Sequence, residues 1–145
     1  MRPAGYAMSE TAGGKNRRKR RSRVPDELLV MGELSRRGFE AQLSDRKDHV
    51  LLVQAGDSGP KPVQVKTVHS TPWYVRRASF VGSLADQVTV YVLLGLERGI
   101  KSARFFVARN SDLAGQFRQP PTWKTFGFID AKSVEKYEDN WEILR

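Results

Sequence analysis

Apolar positions after residue 24 recur first at the spacing of a helix and then at that of strands. Pro25 suits a first helical turn, and Asp26 and Glu27 complement the positive end of the helix dipole. Gly38 suits the position where a helix stops. This pattern predicts one helix from Pro25 to the glycine. Its apolar stripe is predicted to contain Leu28, Leu29, Met31, Leu34 and Phe39.

Short runs rich in β-branched and apolar residues predict strands after this helix. The segments 39–43 and 49–53 are the first two strand candidates. The Gly, Asp and Pro residues of 55–60 then predict a hairpin connection into a strand over 63–68. Two strands joined in this way should be antiparallel neighbours.

The second half of the chain predicts two more buried strands and a short helix. The strands cover 86–94 and 104–108 and pair through the segment 97–102. A helix over 130–137 follows, with Asp130 as its cap. Three apolar residues near the C-terminus are predicted to pack this end onto the core: Trp141, Ile143 and Leu144.

The net charge of +9 is concentrated near the N-terminus. Residues 1–23 are rich in Gly, Ser, Ala and basic side chains without apolar periodicity, so they are predicted to be a disordered tail. Residues 24–145 carry 17 Lys and Arg against 15 Asp and Glu and are predicted to form one domain. The tail is predicted to attract nucleic acid by neutralising phosphates, although a solubilising extension or an import signal has the same composition. Its assigned cations are Lys15, Arg17, Arg18, Lys19, Arg20, Arg21 and Arg23.

Composition also narrows the kinds of site and the compartment. The chain has no cysteine, which excludes disulfides and thiolate metal sites and leaves carboxylates, amides and two histidines as ligands. No apolar run approaches the roughly 20 residues of a membrane span, and the N-terminal segment lacks the apolar core of a secretory signal. We therefore expect a soluble, cytoplasmic protein without a membrane partner.

One predicted strand carries side chains that are suited to catalysis. In the segment 63–66, Gln64 and Lys66 alternate with valines, so the amide and the ammonium share one face. Asp48 precedes the neighbouring strand, where its carboxylate can meet the Gln64 carbonyl oxygen around one divalent cation. Lys66 would then lie beside the attacked phosphate or water. The three residues together indicate a metal-dependent nuclease site.

This ordered set resembles the PD-(D/E)XK superfamily of restriction-endonuclease-like nucleases, in particular its small stand-alone members of the Holliday-junction-resolvase type. The resemblance runs from about Pro25 to the C-terminus. Glu27 matches the helix glutamate of the family, Asp48 its first-strand aspartate and Lys66 its lysine. Gln64 falls where the family usually has Asp or Glu, which makes the motif a QxK variant.

The resemblance implies an α/β fold in which helices flank a mixed central sheet. It also implies a Mg²⁺- or Mn²⁺-dependent endonuclease acting on DNA, branched DNA included, and a homodimer that addresses two strands. Asp48, Gln64 and Glu27 would be the metal ligands, and Lys66 would orient or deprotonate water and stabilise charge on the phosphate.

Glutamine contributes oxygen but no negative charge to a cation, so a second interpretation stays open. In it the chain is a catalytically inactive nucleic-acid-binding module of the same fold. A protein-interaction scaffold without nucleic-acid affinity is a third.

A second segment with nucleic-acid chemistry follows the lysine strand. Trp73, Arg76 and Arg77 are predicted to grip a backbone or stack an exposed base. The same tryptophan fits a core position equally well. His49 and His69 lack the spacing of metal ligands and are predicted to be structural or exposed.

Overall fold

The computed structural model describes residues 25–47, 49–97 and 100–145, so the predicted basic tail and Asp48 lie outside the described residues. Apart from short 3₁₀ turns, the helices and strands are, in chain order, α1 (25–36), β1 (Glu40–Leu43), β2 (Val50–Gln54), β3 (Lys61–Val68), β4 (Trp73–Arg76), β5 (Val88–Glu97), β6 (Ile100–Arg109), α2 (Asn110–Leu113), β7 (Phe126–Ile129) and α3 (Ala131–Val134). Among the described residues, no helix is both long enough and apolar enough to cross a membrane.

Five of the strands form one mixed sheet in the order β1-β2-β3-β5-β6. The β2–β3 hairpin is antiparallel, with Val50 opposite Gln64, as the turn residues predicted. β5 and β6 are also antiparallel, whereas β3 and β5 are parallel and are joined by a crossover that contains β4. Each of the five predicted strands is present, with boundaries that differ by a few residues.

The inward face of α1 differs from the predicted stripe. Glu27, Val30 and Leu34 are buried, while Leu28 and Leu29 are 51% and 39% exposed. The three buried residues lie at positions i, i+3 and i+7, which share one side of a helix. Because the run after Glu27 is continuously apolar, the sequence did not fix which side faces inward. The consequence is that a glutamate, rather than two leucines, points towards the sheet.

One core lies between α1 and the five-stranded sheet. Val30 and Leu34 of the helix pack against Val63 and Val65 of β3. The C-terminal 3₁₀ turn closes the same layer, with Trp141 and Leu144 buried as predicted. Asp130 caps α3 as predicted, since its side chain accepts a hydrogen bond of 3.2 Å from the Ser133 backbone N–H.

A second core covers the opposite face of the sheet, beneath a two-stranded antiparallel sheet of β4 and β7. The sequence did not predict this small sheet. Gly127 is required in it, because an added Cβ would overlap the Arg118 carbonyl oxygen and the Phe117 ring. The chain before β7 therefore lies directly on the strand, and Arg118 makes an isolated bridge with Phe128.

Candidate active site on strand β3

Gln64 and Lys66 lie on one face of β3, as the alternation predicted. Both side chains are half-buried, whereas Val63 and Val65, which alternate with them, are 0% and 4% exposed on the other face. β3 is the middle strand of the sheet, so this lysine is not one that protects a sheet edge from aggregation. An ammonium group on an interior strand needs a polar partner or a function.

The neighbouring strand β5 supplies polar groups on the same face. Gln64 is level with Thr89, and Lys66 is level with Tyr91. The Thr89 hydroxyl donates a 2.7 Å hydrogen bond to the Asn110 side-chain oxygen, and the Asn110 amide donates one of 2.9 Å to the Leu84 carbonyl. These buried bonds hold the wall of the candidate site rigid.

Tyr91 remains a neutral phenol beside this site. Burial raises the pKa of Tyr91 well above its ordinary value, and a hydrogen bond with Thr89 offsets only part of that shift. The ring therefore adds no negative charge next to Lys66 at neutral pH.

The entry into β2 is fixed by His49, which adopts a left-handed conformation with φ 63. This conformation is uncommon for a residue other than glycine, although histidine adopts it more readily than most. The His49 carbonyl accepts a 2.8 Å hydrogen bond from the backbone N–H of Val65, the residue between Gln64 and Lys66. The chain next to Asp48 is thus attached to β3 at the level of the candidate site.

His49 also connects this entry to α1. Its Nδ1 lies 3.9 Å from Oε1 of Glu27, whose side chain is only 8% exposed. The sequence predicted a structural or exposed role for His49 and did not predict that it lies close to Glu27. Its only signal in the sequence is adjacency to Asp48, because the left-handed turn that sets its direction has no glycine to mark it.

The described residues include some, but not all, of the side chains that a metal site needs. Across 25–47, 49–97 and 100–145, no group of three or more His, Cys, Asp or Glu residues is placed to hold a metal ion. Glu27 and Gln64 provide oxygen donors, which suit a hard cation such as Mg²⁺. A further anionic ligand would have to come from outside the described residues, where Asp48 lies.

Trp73 is a core residue, which corrects its assignment to nucleic-acid binding. The side chain is 1% exposed, and its indole N–H donates a 3.1 Å hydrogen bond to the Val92 carbonyl. Its ring makes edge contacts with Tyr91 and Phe106, at centroid distances of 5.3 Å and 5.9 Å. A ring enclosed in this way cannot stack on a base, so the core alternative is the correct one.

The other predicted nucleic-acid contacts have different outcomes. Arg76 and Arg77 are exposed at the end of β4, and the Arg76 guanidinium lies 4.9 Å from the centroid of the Phe126 ring. The seven cations of the tail are outside the described residues: Lys15, Arg17, Arg18, Lys19, Arg20, Arg21 and Arg23.

Comparison with known proteins identifies the architecture of the chain. No protein-family model matches the chain, and no curated protein sequence matches it. A solved structure does match, that of Hjc, a Holliday junction resolvase from the archaeal hyperthermophile Archaeoglobus fulgidus. The TM-score is 0.51 with 15% sequence identity, over 83% of this chain and 93% of Hjc. This is the restriction-endonuclease-like fold.

The restriction-endonuclease-like fold confirms the architecture that the sequence predicted, a mixed central sheet flanked by helices. At this level of identity the likeness to Hjc concerns the fold alone. In this chain, β3 carries Gln64 and Lys66, and α1 carries Glu27.

Proposed function

We propose that this protein is a metal-dependent nuclease that hydrolyses phosphodiester bonds of DNA, with Glu27, Asp48, Gln64 and Lys66 as its catalytic residues. The observation that carries the proposal is the half-buried pair Gln64 and Lys66 on the middle strand of a fold shared with a Holliday junction resolvase. An interior lysine beside an oxygen donor fits the charge that develops on an attacked phosphate.

Each residue has a role that follows from its functional group. Lys66 orients the attacking water and stabilises negative charge on the phosphate. The Gln64 carbonyl oxygen and the carboxylates of Glu27 and Asp48 would be the oxygen ligands that hold Mg²⁺ or Mn²⁺. When bound, such a cation polarises the phosphate and lowers the pKa of water.

His49 is the positioning residue of this proposal. Its carbonyl bond to Val65 supports placing the adjacent Asp48 close to Gln64 and Lys66. The His49 imidazole also approaches Glu27 from the same turn. His49 thus connects α1 with the entry into β2 through its side chain, and connects that entry with β3 through its backbone.

The proposed substrate is DNA, with branched DNA as the preferred form. Hjc is a Holliday junction resolvase, and the shared fold makes a junction the first substrate to test. Cutting two strands of a junction requires two active sites, so we propose a homodimer. The basic tail would add affinity by neutralising phosphates, without sequence preference.

The proposal is tested by incubating the full chain with linear, branched and single-stranded DNA in Mn²⁺ or in EDTA. We expect cleavage in Mn²⁺ alone, and at least about 100-fold less in the Asp48→Ala and Lys66→Ala variants, the loss typical of removing a charge-stabilising group. Lys61→Ala is the matched control, because Lys61 is also half-buried on β3 but at its opposite end.

Circular dichroism verifies that each variant is folded. Cleavage that continues in EDTA, or that Lys66→Ala leaves unchanged, contradicts the proposal.

An inactive nucleic-acid-binding module is the second candidate. The neutral amide of Gln64 favours it, together with the lack of a three-ligand group within the described parts of the chain. This candidate predicts binding that persists in EDTA and weakens as salt rises, without cleavage of any DNA form.

A further inference from the structure

The outer face of the β4–β7 sheet exposes aromatic side chains. Tyr74 lies opposite Phe128, and Arg76 lies opposite Phe126, on the side away from the core. Tyr74 is 56% exposed, Phe126 41% and Trp123, which precedes β7, 39%. We call Tyr74, Trp123, Phe126 and Phe128 the aromatic face. Large aromatic side chains clustered on a surface commonly mark a binding site.

The rings of the aromatic face are held against one another. The centroids of Tyr74 and Trp123 are 6.1 Å apart, and those of Trp123 and Phe128 are 6.2 Å apart in an edge-on contact. An open hollow of about 440 Å³ lies among Tyr74, Trp123, Lys124, Thr125 and Phe126. The hollow is open to solvent, so a planar group can lie against the exposed rings.

The two chain segments that carry the aromatic face have only basic charged side chains, and one of these, Arg118, lies 3.9 Å from Asp130 just beyond them. The segments 58–85 and 113–129, which include β4 and β7, carry six Lys and Arg and no Asp or Glu. The remainder of residues 24–145 has eleven Lys and Arg against fifteen Asp and Glu. Lys124 and Arg76 are exposed beside the rings. The occupant that complements this surface is therefore both flat and anionic.

We propose that the aromatic face binds unpaired nucleotides of a DNA strand, with bases stacked on Tyr74 and Trp123 and phosphates beside Lys124 and Arg76. Aromatic side chains stack on any base, and cations follow the backbone, so the site needs no sequence preference. The choice of DNA rests on the proposed function, whereas the stacking chemistry does not depend on cleavage. A second copy of the chain is a poorer occupant, because its cations would face these cations.

Tryptophan fluorescence gives a direct measurement of this binding. Trp73 and Trp141 are 1% and 2% exposed, so Trp123 is the tryptophan that a base can reach. The full chain in EDTA is titrated with a thymidine oligonucleotide of about twelve nucleotides, within the usual site size. An abasic oligonucleotide of equal length carries the same phosphates without bases. We expect quenching by the thymidine oligonucleotide and none by the abasic one.

Two pairs of variants separate stacking from charge. Tyr74→Leu is expected to weaken binding of the thymidine oligonucleotide by at least about fivefold, whereas Tyr74→Phe keeps the stacking surface and the affinity. Lys124→Gln is expected to lower the slope of log affinity against log salt by about 0.7, the value for one phosphate contact on a single strand. Lys132→Gln, an exposed lysine of α3, leaves the slope unchanged.

Four results would overturn the proposal. They are equal quenching by the abasic oligonucleotide, a Tyr74→Leu variant with wild-type affinity, tighter binding of a uridine oligonucleotide, and a dimer that Tyr74→Leu converts to a monomer in sedimentation. The last two would assign the face to RNA or to a second copy. Because no cleavage is measured, failure here leaves the nuclease proposal standing, and failure of cleavage leaves this one standing.

Discussion

The five-stranded and two-stranded sheets differ in how many of their faces are covered. The larger sheet has a core on each face, whereas the β4–β7 sheet packs only its inner face. On a doubly covered sheet, polar side chains are the unexpected ones, and Gln64 and Lys66 are examples. On a singly covered sheet, exposed aromatics are unexpected, and Tyr74 and Phe126 are examples. The two candidate sites are therefore recognised by opposite departures from ordinary burial.

The strongest test of this comparison concerns two tryptophans. Trp73→Ala is expected to lower the free energy of unfolding by about 3–5 kcal/mol, because it empties a fully buried site in the second core. Trp123→Ala on the open face is expected to cost less than about 1 kcal/mol. Urea denaturation of both variants gives the two values. Similar losses would mean that the β4–β7 sheet is covered on both sides.

A smaller effect is expected from the polar groups of the larger sheet. Asn110→Ala removes the acceptor of the buried Thr89 hydroxyl and one of the two donors to the Leu84 carbonyl, which costs about 1–3 kcal/mol. The double variant Thr89→Val with Asn110→Leu should cost less than the sum of the single changes, since the pair is removed together. Additive losses would show that these groups do not act as one unit.

The third prediction addresses the proposed metal site. Gln64→Glu adds a negative charge to the ligand set, and we expect half-maximal cleavage at about tenfold lower Mn²⁺, equivalent to about 1.4 kcal/mol. If the unmodified protein does not cleave DNA, the Gln64→Glu variant should cleave it. Gln54→Glu is the matched control, because Gln54 is a half-buried glutamine at the far end of β2. An equal change in the Mn²⁺ requirement of both variants would show that Gln64 is not a metal ligand.

The smallest effect is expected at an exposed ion pair. The Arg104 guanidinium donates hydrogen bonds of 3.0 Å and 2.8 Å to Glu138 and holds the pKa of that carboxyl below its ordinary value. Its contribution to stability is therefore present above about pH 4.3, the ordinary pKa of glutamate, and is lost as pH falls further. Because both side chains are more than a third exposed, the loss should be below about 1 kcal/mol.

The variant Glu138→Gln provides the measurement for this pair. Urea denaturation between about pH 3 and pH 7 should show a flatter acid limb than in the natural protein. A variant that loses stability towards acid as steeply as the natural protein would assign that dependence to other carboxylates.

Local pattern was sufficient to predict the strands of the larger sheet and the orientation of the β3 side chains, whereas the mixed central sheet was implied by the family resemblance. The β2–β3 hairpin has turn residues between two short apolar runs, and alternation placed Gln64 and Lys66 together. The direction of α1 was not predictable, because Leu28 and Leu29 make its apolar run continuous and conceal the inward turn of Glu27.

The β4–β7 sheet was missed for two physical reasons. Its strands have four residues each, and Phe126 and Phe128 put aromatic side chains where an outer face normally has polar ones. Their pairing also depends on distant parts of the chain, which no local pattern reports. Trp73 was therefore not identified as an inner-face residue. In β4, Trp73 and Val75 point inwards, whereas Tyr74 and Arg76 point outwards.

The order of the strands has a consequence for folding kinetics. The β2–β3 and β5–β6 hairpins close short loops, whereas β4 meets β7 only after the whole of β5 and β6 has been placed between them along the chain. Contacts that close long loops form later than local ones, since their entropy cost comes first. The hairpin that carries Gln64 and Lys66 is therefore expected to form before the aromatic face does.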